Sequence, residues 1–412
     1  MERILDWNKY LDTAAKMVSE GIVMLKNDNN ALPLDTDKEA VFGRIQFHYY
    51  KSGTGSGGMV NVTKVVNILD GLIDNGVKVN EKLLDIYRKW DKENPFDLGE
   101  GWGGEPWSQK EMPLDEGLVK ETAKSCETAI VIIGRTAGEE QDNRLEGGSY
   151  LLSDDEIEML TVVREHFKKV VLLLNVGNII DMTDINRIAP DAVLYVWQGG
   201  MTGGKGKADV LAGKVSPSGK LPDTIAYKAS DYPSDANFGR EKNRDIYAED
   251  IYVGYRYFET FAKENVLYPF GFGLSYTAFE IKTEKAEITE EAVKLSVSVK
   301  NIGSYKGKEV IEVYCEAPQG RLGKAARVLC GFEKTKELVP QEEQVIEIAV
   351  DIAKLASYDD SGVTGNKSCY VLEAGEYKFY VGSDVRSAEY ACSFEQGEDL
   401  VTERLTQSLA PV

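Results

Sequence analysis

The 412-residue sequence is poor in histidine and has no long apolar segment. His48 and His166 are its only histidines, which argues against a catalytic triad or a metal site built on this residue type. The five cysteines are odd in number, widely scattered and without metal-ligand spacing, so we expect reduced thiols in a cytoplasmic protein. No apolar run reaches the length needed to span a bilayer, and residues 1–6 lack the basic start of a secretion signal.

Basic residues are outnumbered by acidic ones. The chain has 48 Lys and Arg against 68 Asp and Glu, which gives a net charge of −20. This excess argues against nucleic acids and anionic membranes as partners, whereas a neutral substrate would be indifferent to it. The length predicts two or three domains, and 42% hydrophobic residues are typical of globular proteins.

Short apolar runs alternate with helical patterns in the first half of the chain. Near-continuous apolar runs are typical of buried parallel strands, and Ser153 with Glu156 forms a capping box at a helix start. The alternation predicts an α/β sandwich at residues 1–225, with a mostly parallel sheet flanked by helices. We expect helices at residues 8–26, 65–73 and 156–167, and strands at 40–43, 77–80, 129–133, 170–174 and 192–197.

The second half of the chain changes character. Residues 226–276 are rich in Tyr, Gly and Asp and predict a connecting segment packed on the first domain. Residues 277–396 contain strands with period-2 alternation, which predict an all-β sandwich. Residues 397–412 are polar and read as a tail or linker. We expect strands at 293–301, 309–314, 344–350 and 375–381.

Three segments are candidate sites. The glycine loop at 53–58 matches the dinucleotide pattern G-x-G-x-x-G, but about ten residues separate it from its strand, so close approach of backbone to another ligand is favoured. Glu139 follows the strand at 129–133 in an acidic loop, where a carboxyl could act as a general acid or stay solvated. Tyrosines at 247–276 could stack on sugars, although a structural role in locking two domains together is favoured.

Seven motifs, in order along the chain, resemble the family 3 glycoside hydrolases, chiefly the β-glucosidases. They lie at residues 19–34, 53–58, 138–139, 197–200, 215–222, 250–256 and 269–276. The sequence from 279 to about 395 resembles the fibronectin type III-like domain of many members. The resemblance therefore implies an α/β sandwich followed by a fibronectin type III-like sandwich.

The resemblance implies a retaining double displacement that uses no cofactor and no metal. A carboxylate attacks the anomeric carbon, while a second carboxyl protonates the departing oxygen and then activates water. Glu139 aligns with the family's acid/base residue, and Glu140 is the second choice for this role. Ser56 aligns with a contact to the sugar near the scissile bond, and Asp142 and Arg144 are implied to bind substrate.

The family's nucleophile is an Asp on a (β/α)₈ barrel, usually within Ser-Asp-Trp, and this tripeptide is missing from the sequence. A permuted group of members carries the barrel last. We therefore expect this chain to be one part of a divided site, completed by a barrel on a further domain or a second polypeptide. The implied substrate is a β-linked glucoside or oligosaccharide, cleaved at its non-reducing end, and a homo-oligomer is left open.

Two other functions stay open from the sequence. A non-catalytic carbohydrate-binding or assembly module would bind saccharides without a barrel. A nucleotide-binding α/β domain would use the glycine loop to bind NAD or ATP.

Overall fold

A computed structural model describes residues 5–34, 38–55, 58, 60–101, 103–139, 142–238, 243–244 and 246–407. The chain forms two compact units. The first contains Met1–Lys220, Tyr227–Ala229 and Gly273–Tyr276, and the second contains the rest. Within the described ranges, no helix is both long enough and apolar enough to cross a membrane.

A five-stranded sheet forms the centre of the first unit. Its order is β1-β5-β4-β3-β2, in which β2 to β5 are parallel and β1 runs antiparallel to β5. Every residue of β3 is buried, as expected for a strand that is covered on both faces. The predicted mostly parallel sheet is thus confirmed. The strands are β1 Val23–Asn27, β2 Glu39–Phe42, β3 Thr128–Gly134, β4 Lys169–Asn175 and β5 Ala192–Tyr195.

Seven helices of the first unit flank this sheet in the described ranges. Most begin at a residue whose side-chain oxygen accepts an N–H of the first turn, which satisfies a donor that the helix leaves open. The predicted capping box of Ser153 and Glu156 is present at the start of α5. The helices are α1 Trp7–Gly21, α2 Ile68–Asp74, α3 Glu81–Glu93, α4 Glu116–Ala123, α5 Asp154–His166, α6 Thr183–Ile188 and α7 Gly203–Leu211.

Three predicted elements differ from the structure. The helix expected at 8–26 ends at Gly21, because the next four residues are all buried, which suits strand β1 in a covered sheet. The strand expected at 77–80 makes only a single bridge, between Val79 and Glu39. The strand expected at 192–197 ends at Tyr195, since Trp197 has a φ of 50° that interrupts an extended strand.

The second unit is mainly antiparallel sheet. One sheet has the order β11-β10-β15-β16 and another the order β12-β9-β8, and side chains from both form one apolar core, as the predicted sandwich requires. The elements are β6 Ile225–Ala226, α8 Tyr255–Phe261, β7 Val266–Tyr268, β8 Phe279–Ile288, β9 Ala292–Asn301, β10 Val310–Glu316, β11 Val328–Lys334, β12 Glu343–Asp351, β13 Ser357–Asp359, β14 Cys369–Leu372, β15 Gly375–Gly382, β16 Glu389–Gln396 and β17 Leu400–Arg404.

The segments that the sequence predicted as a connection and as a tail contain helices and strands. Residues 230–272 lie in the second unit, whereas the sequence predicted that 226–276 pack on the α/β domain. Residues 397–412, expected to be a tail or linker, include β17, which pairs antiparallel with β14. A short polar strand such as β17 gives little apolar signal, because its partner supplies backbone hydrogen bonds rather than a buried face.

Candidate active site

Glu139 lies on a short loop beyond the carboxyl end of β3. Ligands of α/β sheets commonly bind at this edge. Two backbone hydrogen bonds fix the loop between its neighbours. The N–H of Thr136 donates to the carbonyl of Trp107 at 2.9 Å, and the N–H of Thr54 donates to the carbonyl of Ala137 at 2.6 Å. The Glu139 side chain is exposed at the end of this fixed loop.

The glycine loop packs directly against Glu139. Thr54 and Gly138 pair as a parallel bridge, and Gly138 has a φ of 143°. A Cβ on Gly55, whose φ is 91°, would lie 2.6 Å from Glu139 Oε2 and 2.8 Å from Glu139 Cβ. Glycine therefore lets the carboxylate lie against the backbone of this loop. Ser56, predicted to contact sugar, lies outside the described residues, as does Glu140.

The glycine loop does not form the strand–turn–helix of a dinucleotide site. Strand β2 ends at Phe42, and α2 begins only at Ile68, ten residues beyond Gly58. A dinucleotide fingerprint needs its glycines between a strand and a helix N-terminus that faces the pyrophosphate. The described residues of this loop instead contact the Glu139 loop.

A buried ion pair anchors the Glu139 loop from behind. Arg135 and Glu156 are both buried, and their two hydrogen bonds measure 2.5 and 2.7 Å. The same guanidinium donates to the carbonyls of Ser149 and Leu151, at 3.0 and 3.2 Å. One side chain thus joins the end of β3, the returning segment at 149–151 and the start of α5. Such a fork of donors is what arginine provides and lysine does not.

Asp142 and Arg144 come together at one cleft. The cleft has a volume of about 590 Å³, and its walls are residues 103–108 and the segment from Asp142 to Ser149. Both predicted side chains are exposed. The backbone N–H of Arg144 donates to Ser149 Oγ at 3.0 Å, and this bond fixes the turn that carries its side chain.

Side chains from β4 and α7 fix the neighbouring loop at residues 197–200. The Asn175 amide donates to the carbonyls of Tyr50 and Trp197, at 3.0 and 2.7 Å. Lys207 is fully buried, donates to the Trp197 carbonyl at 2.7 Å and lies 4.1 Å from the centre of the Tyr49 ring. Burial lowers the pKa of Lys207 well below its usual value. Gln198 then donates to the Arg135 carbonyl at 3.3 Å and links this loop to the Glu139 loop.

The sequence predicted a supporting role at the site for none of these residues. Arg135 directly after a buried strand was the one available signal, because a charge at such a position needs a partner. That partner, Glu156, is 21 residues away and was predicted only as part of a helix cap. In the tyrosine-rich segment, Tyr255 stacks on Phe270 with ring centres 4.4 Å apart.

Comparison with known proteins assigns both parts of the chain. The sequence profile of the glycosyl hydrolase family 3 C-terminal domain matches residues 22–276, and that of the fibronectin type III-like domain matches residues 309–385. A β-glucosidase of Ruminococcus albus is 62% identical over 99% of this chain and 43% of its own length. β-Glucosidase A of Butyrivibrio fibrisolvens is 37% identical over 100% of this chain and 54% of its own length.

Solved structures give the same assignment. A β-glucosidase from Paenibacillus barengoltzii superposes with a TM-score of 0.96 at 50% identity, over 99% of this chain and 46% of that one. β-Glucosidase 3B from Thermotoga neapolitana, in complex with glucose, gives 0.87 at 34% identity, over 96% and 55%. This chain thus spans about half the length of the relatives it matches. By its sequence and its fold, the chain belongs to glycoside hydrolase family 3.

Proposed function

We propose that this chain supplies the acid/base half of a retaining β-glucosidase. In this proposal Glu139 is the general acid/base, and the nucleophile is an Asp on a (β/α)₈ barrel outside these 412 residues, on a further domain or a second polypeptide. Two relatives by sequence match 99–100% of this chain, two solved structures match 96–99% of it, and all four are named β-glucosidases. Each of the four is about twice as long as the part that it shares with this chain. Those names and lengths support a divided site.

The observation that carries the proposal is the position of the Glu139 side chain on a fixed loop. Its carboxylate is exposed beyond the end of β3, while Thr136 and Ala137, just before it in the chain, are bonded to neighbouring segments and its side chain packs against Gly55. An acid/base group has to reach a substrate oxygen within about 2.6–3.2 Å and keep that position through two proton transfers. A rigid loop with an exposed carboxyl meets both needs.

The proposed reaction has two steps. First, the barrel's carboxylate attacks the anomeric carbon while Glu139 gives its proton to the departing oxygen. Glu139, now ionised, then takes a proton from water, and that water releases the sugar from the nucleophile. The two carboxyl groups have to lie about 5–5.5 Å apart for this outcome. Ser56, Asp142 and Arg144 keep their predicted role in binding substrate.

The test supplies a barrel by fusion and then replaces the proposed acid/base residue. The chain alone should not hydrolyse aryl β-glucosides, whereas a fusion to the unmatched part of the R. albus relative should. In that fusion, Glu139→Gln should slow hydrolysis of a poor leaving group roughly 10²- to 10⁴-fold. A 2,4-dinitrophenyl glucoside, which needs no proton to depart, should form the glycosyl-enzyme at a nearly unchanged rate.

A matched control and a chemical rescue complete the test. Glu121, an exposed carboxylate on α4, should tolerate the same change to Gln without loss of rate. Azide should accelerate a Glu139→Ala variant and give a β-glucosyl azide, because it attacks without a general base. Full activity of Glu139→Gln on poor leaving groups, or turnover by the chain without a barrel, would contradict the proposal.

A further inference from the structure

The second unit contains a pocket between its two main sheets. Its volume of about 490 Å³ falls within the range of small-molecule sites. Strand β11 lies at the edge of one sheet and β12 at the edge of the other, and residues of both strands line the pocket. All of the lining residues belong to the second unit, so the pocket is a feature of this unit alone.

A bulge in β11 lies where the pocket opens. The pairing of β11 with β10 skips Cys330, which makes this residue an extra one in the strand. A Cβ on Gly331, the next residue, would lie 3.0 Å from Ile348 Cγ2 of β12, so the two sheets are in contact there. Cys330 itself lines the pocket. Bulges are common beside active sites, because the extra residue redirects the side chains around it.

Most of the lining is apolar. Val328 and Leu355 contribute hydrocarbon, and Cys315 and Cys330 contribute thiols. Burial raises the pKa of Cys330 to about 12 and raises that of Cys315 as well, so both thiols stay protonated at neutral pH. The Cys330 thiol donates to the carbonyl of Val313 at 3.3 Å. This part of the lining therefore carries no charge and suits an apolar group.

The charged residues of the lining are mainly cations, although the chain as a whole is acidic. In the described part of the chain, the lining contains Arg256, Lys324 and Lys354 but one carboxylate, that of Asp351. Lys324 is buried and already paired, because its Nζ lies 2.7 Å from Glu373 Oε2. Arg256 and Lys354 form no ion pair with any residue that the structure describes. Two cations are thus available to an anion in the pocket.

Two hydrogen bonds hold α8, and with it Arg256, beside the pocket. Tyr255 Oη accepts the N–H of Leu329 at 2.9 Å, and Thr260 Oγ1 accepts the N–H of Ala326 at 2.9 Å. Both acceptors and Arg256 itself belong to α8. The helix that carries the guanidinium is therefore bonded to the segment that leads into β11.

The combination of an apolar lining and two cations selects among ligands. A neutral apolar molecule would cover the charge of Arg256 without giving it a partner. A sugar or a multiply charged anion would lose its hydrogen bonds to water against the hydrocarbon of the lining. A carboxylate on an apolar body meets both conditions, because its two oxygens can accept a pair of hydrogen bonds from a guanidinium.

We propose that this pocket binds a small monocarboxylate with an apolar body, alkyl or aryl, whose carboxylate pairs with Arg256 and Lys354. The body lies between the two sheets, against Val328 and Leu355. This site is additional to the function proposed for Glu139 and does not depend on it.

Calorimetry on the 412-residue chain tests the class of ligand. Octanoate serves as the alkyl probe and cinnamate as the aryl probe, and the tighter of the two identifies the body that the pocket prefers. A ligand of about ten non-hydrogen atoms should bind with a Kd of about 1 mM or lower. Octanamide and cinnamamide keep the shapes without the charge and should bind at least about tenfold more weakly, because they lose the charge-assisted hydrogen bonds.

Substitutions test the location of the site. Arg256→Met should raise the Kd of the tighter acid about tenfold, and Lys354→Met should raise it about two- to fivefold, because Lys354 is exposed. Ala356→Trp puts an indole into the pocket and keeps both cations, and it should raise the Kd at least about tenfold.

Two exposed cations outside the pocket provide the controls. Lys294→Met on β9 and Arg88→Met on α3 should leave the Kd unchanged. Lys354 is exposed, so its variant should fold even if Arg256→Met does not. No binding of either acid at about 10 mM, amides that bind as tightly as the acids, or a Kd that stays constant in both Lys354→Met and Ala356→Trp would overturn the inference.

Discussion

The contact between Gly55 and Glu139 gives the residue-scale prediction. Gly55→Ala places a methyl group against Glu139 Oε2 and Glu139 Cβ. The oxygen could swing away, but Cβ is fixed to the backbone, so the whole loop has to shift. A displacement of about 1 Å at a catalytic group lowers rates roughly 10²-fold. We expect a loss of about this size in kcat for poor leaving groups in the barrel fusion.

Gly76 provides the control for backbone strain. Its φ of 85° is close to the 91° of Gly55, but a Cβ at Gly76 would meet nothing within 4 Å. Both alanine variants should therefore lose about 1–2 kcal/mol of stability from the left-handed conformation. Only Gly55→Ala should lose activity, as measured by kcat on folded protein. Equal kcat in the two variants would show that the packing against Glu139 does not position it.

At the scale of elements, Arg135 and Glu156 join β3, the segment at 149–151 and α5. Arg135→Met leaves the Glu156 carboxylate buried without its cation and removes donors from three carbonyls. Breaking a buried pair from one side typically lowers the free energy of unfolding by about 3–5 kcal/mol. We expect a loss of this size in chemical denaturation of the first unit.

The double variant distinguishes pairing from burial. Arg135→Met with Glu156→Leu removes both charges, so its loss should be smaller than the sum of the single losses by roughly 1–3 kcal/mol. The exposed pair of Arg88 and Asp85 is a suitable control, and Arg88→Met should change stability by less than about 1 kcal/mol. Additive losses at Arg135 and Glu156 would contradict a mutual dependence of the two groups.

Elements with a local sequence signal were predicted correctly, whereas an element that depends on pairing with a distant strand was not. Strands β3 and β4 could be predicted because both are near-continuous apolar runs, and the cap of α5 because Ser153 and Glu156 are close in sequence. The sequence predicted strand β1 as part of the preceding helix, because its apolar residues continue the helical pattern. Only pairing with β5 makes this segment a strand. Pairing over more than 160 residues leaves no local trace.

The residues of the candidate site were likewise predicted only where the sequence carries a signal for them. The sequence predicted Glu139 from its place after a strand and from family resemblance, together with Asp142 and Arg144, which the structure brings to one cleft. The second wall of the cleft, with Trp107, could not be predicted from the sequence. Trp107 is joined to the site by a backbone bond to Thr136, and backbone bonds are the same for every residue type.

At the scale of the whole molecule, the net charge of −20 predicts self-repulsion that weakens as carboxylates take up protons. An exposed carboxylate contributes little by itself to the pH dependence of stability, but Glu111 is not exposed. Its side chain is fully buried, and Glu111 Oε2 accepts the N–H of Arg44 at 3.0 Å. Burial, with a smaller opposing effect of that hydrogen bond, raises the pKa of Glu111 to about 8 from an ordinary value of 4.5.

The raised pKa makes stability depend on pH in a definite direction. Between pH 4.5 and about 8, the folded chain keeps the Glu111 proton that the unfolded chain has lost. Stability from this group is thus fully present below pH 4.5 and is lost as the pH rises toward 8. Glu111→Gln stays neutral and keeps an acceptor for Arg44, so its stability relative to wild type should rise across this window by on the order of 4 kcal/mol.

Chemical denaturation of both proteins at several pH values measures this difference directly. The other carboxylates titrate equally in the two proteins and cancel in the subtraction. Glu121→Gln is the control of opposite sign, because Lys124 lowers the pKa of Glu121, so replacing it should cost a little stability above pH 4.5. A difference between Glu111→Gln and wild type that stays constant from pH 4.5 to 8 would mean that Glu111 is ionised in the folded chain. Arg44 and water would then compensate its charge.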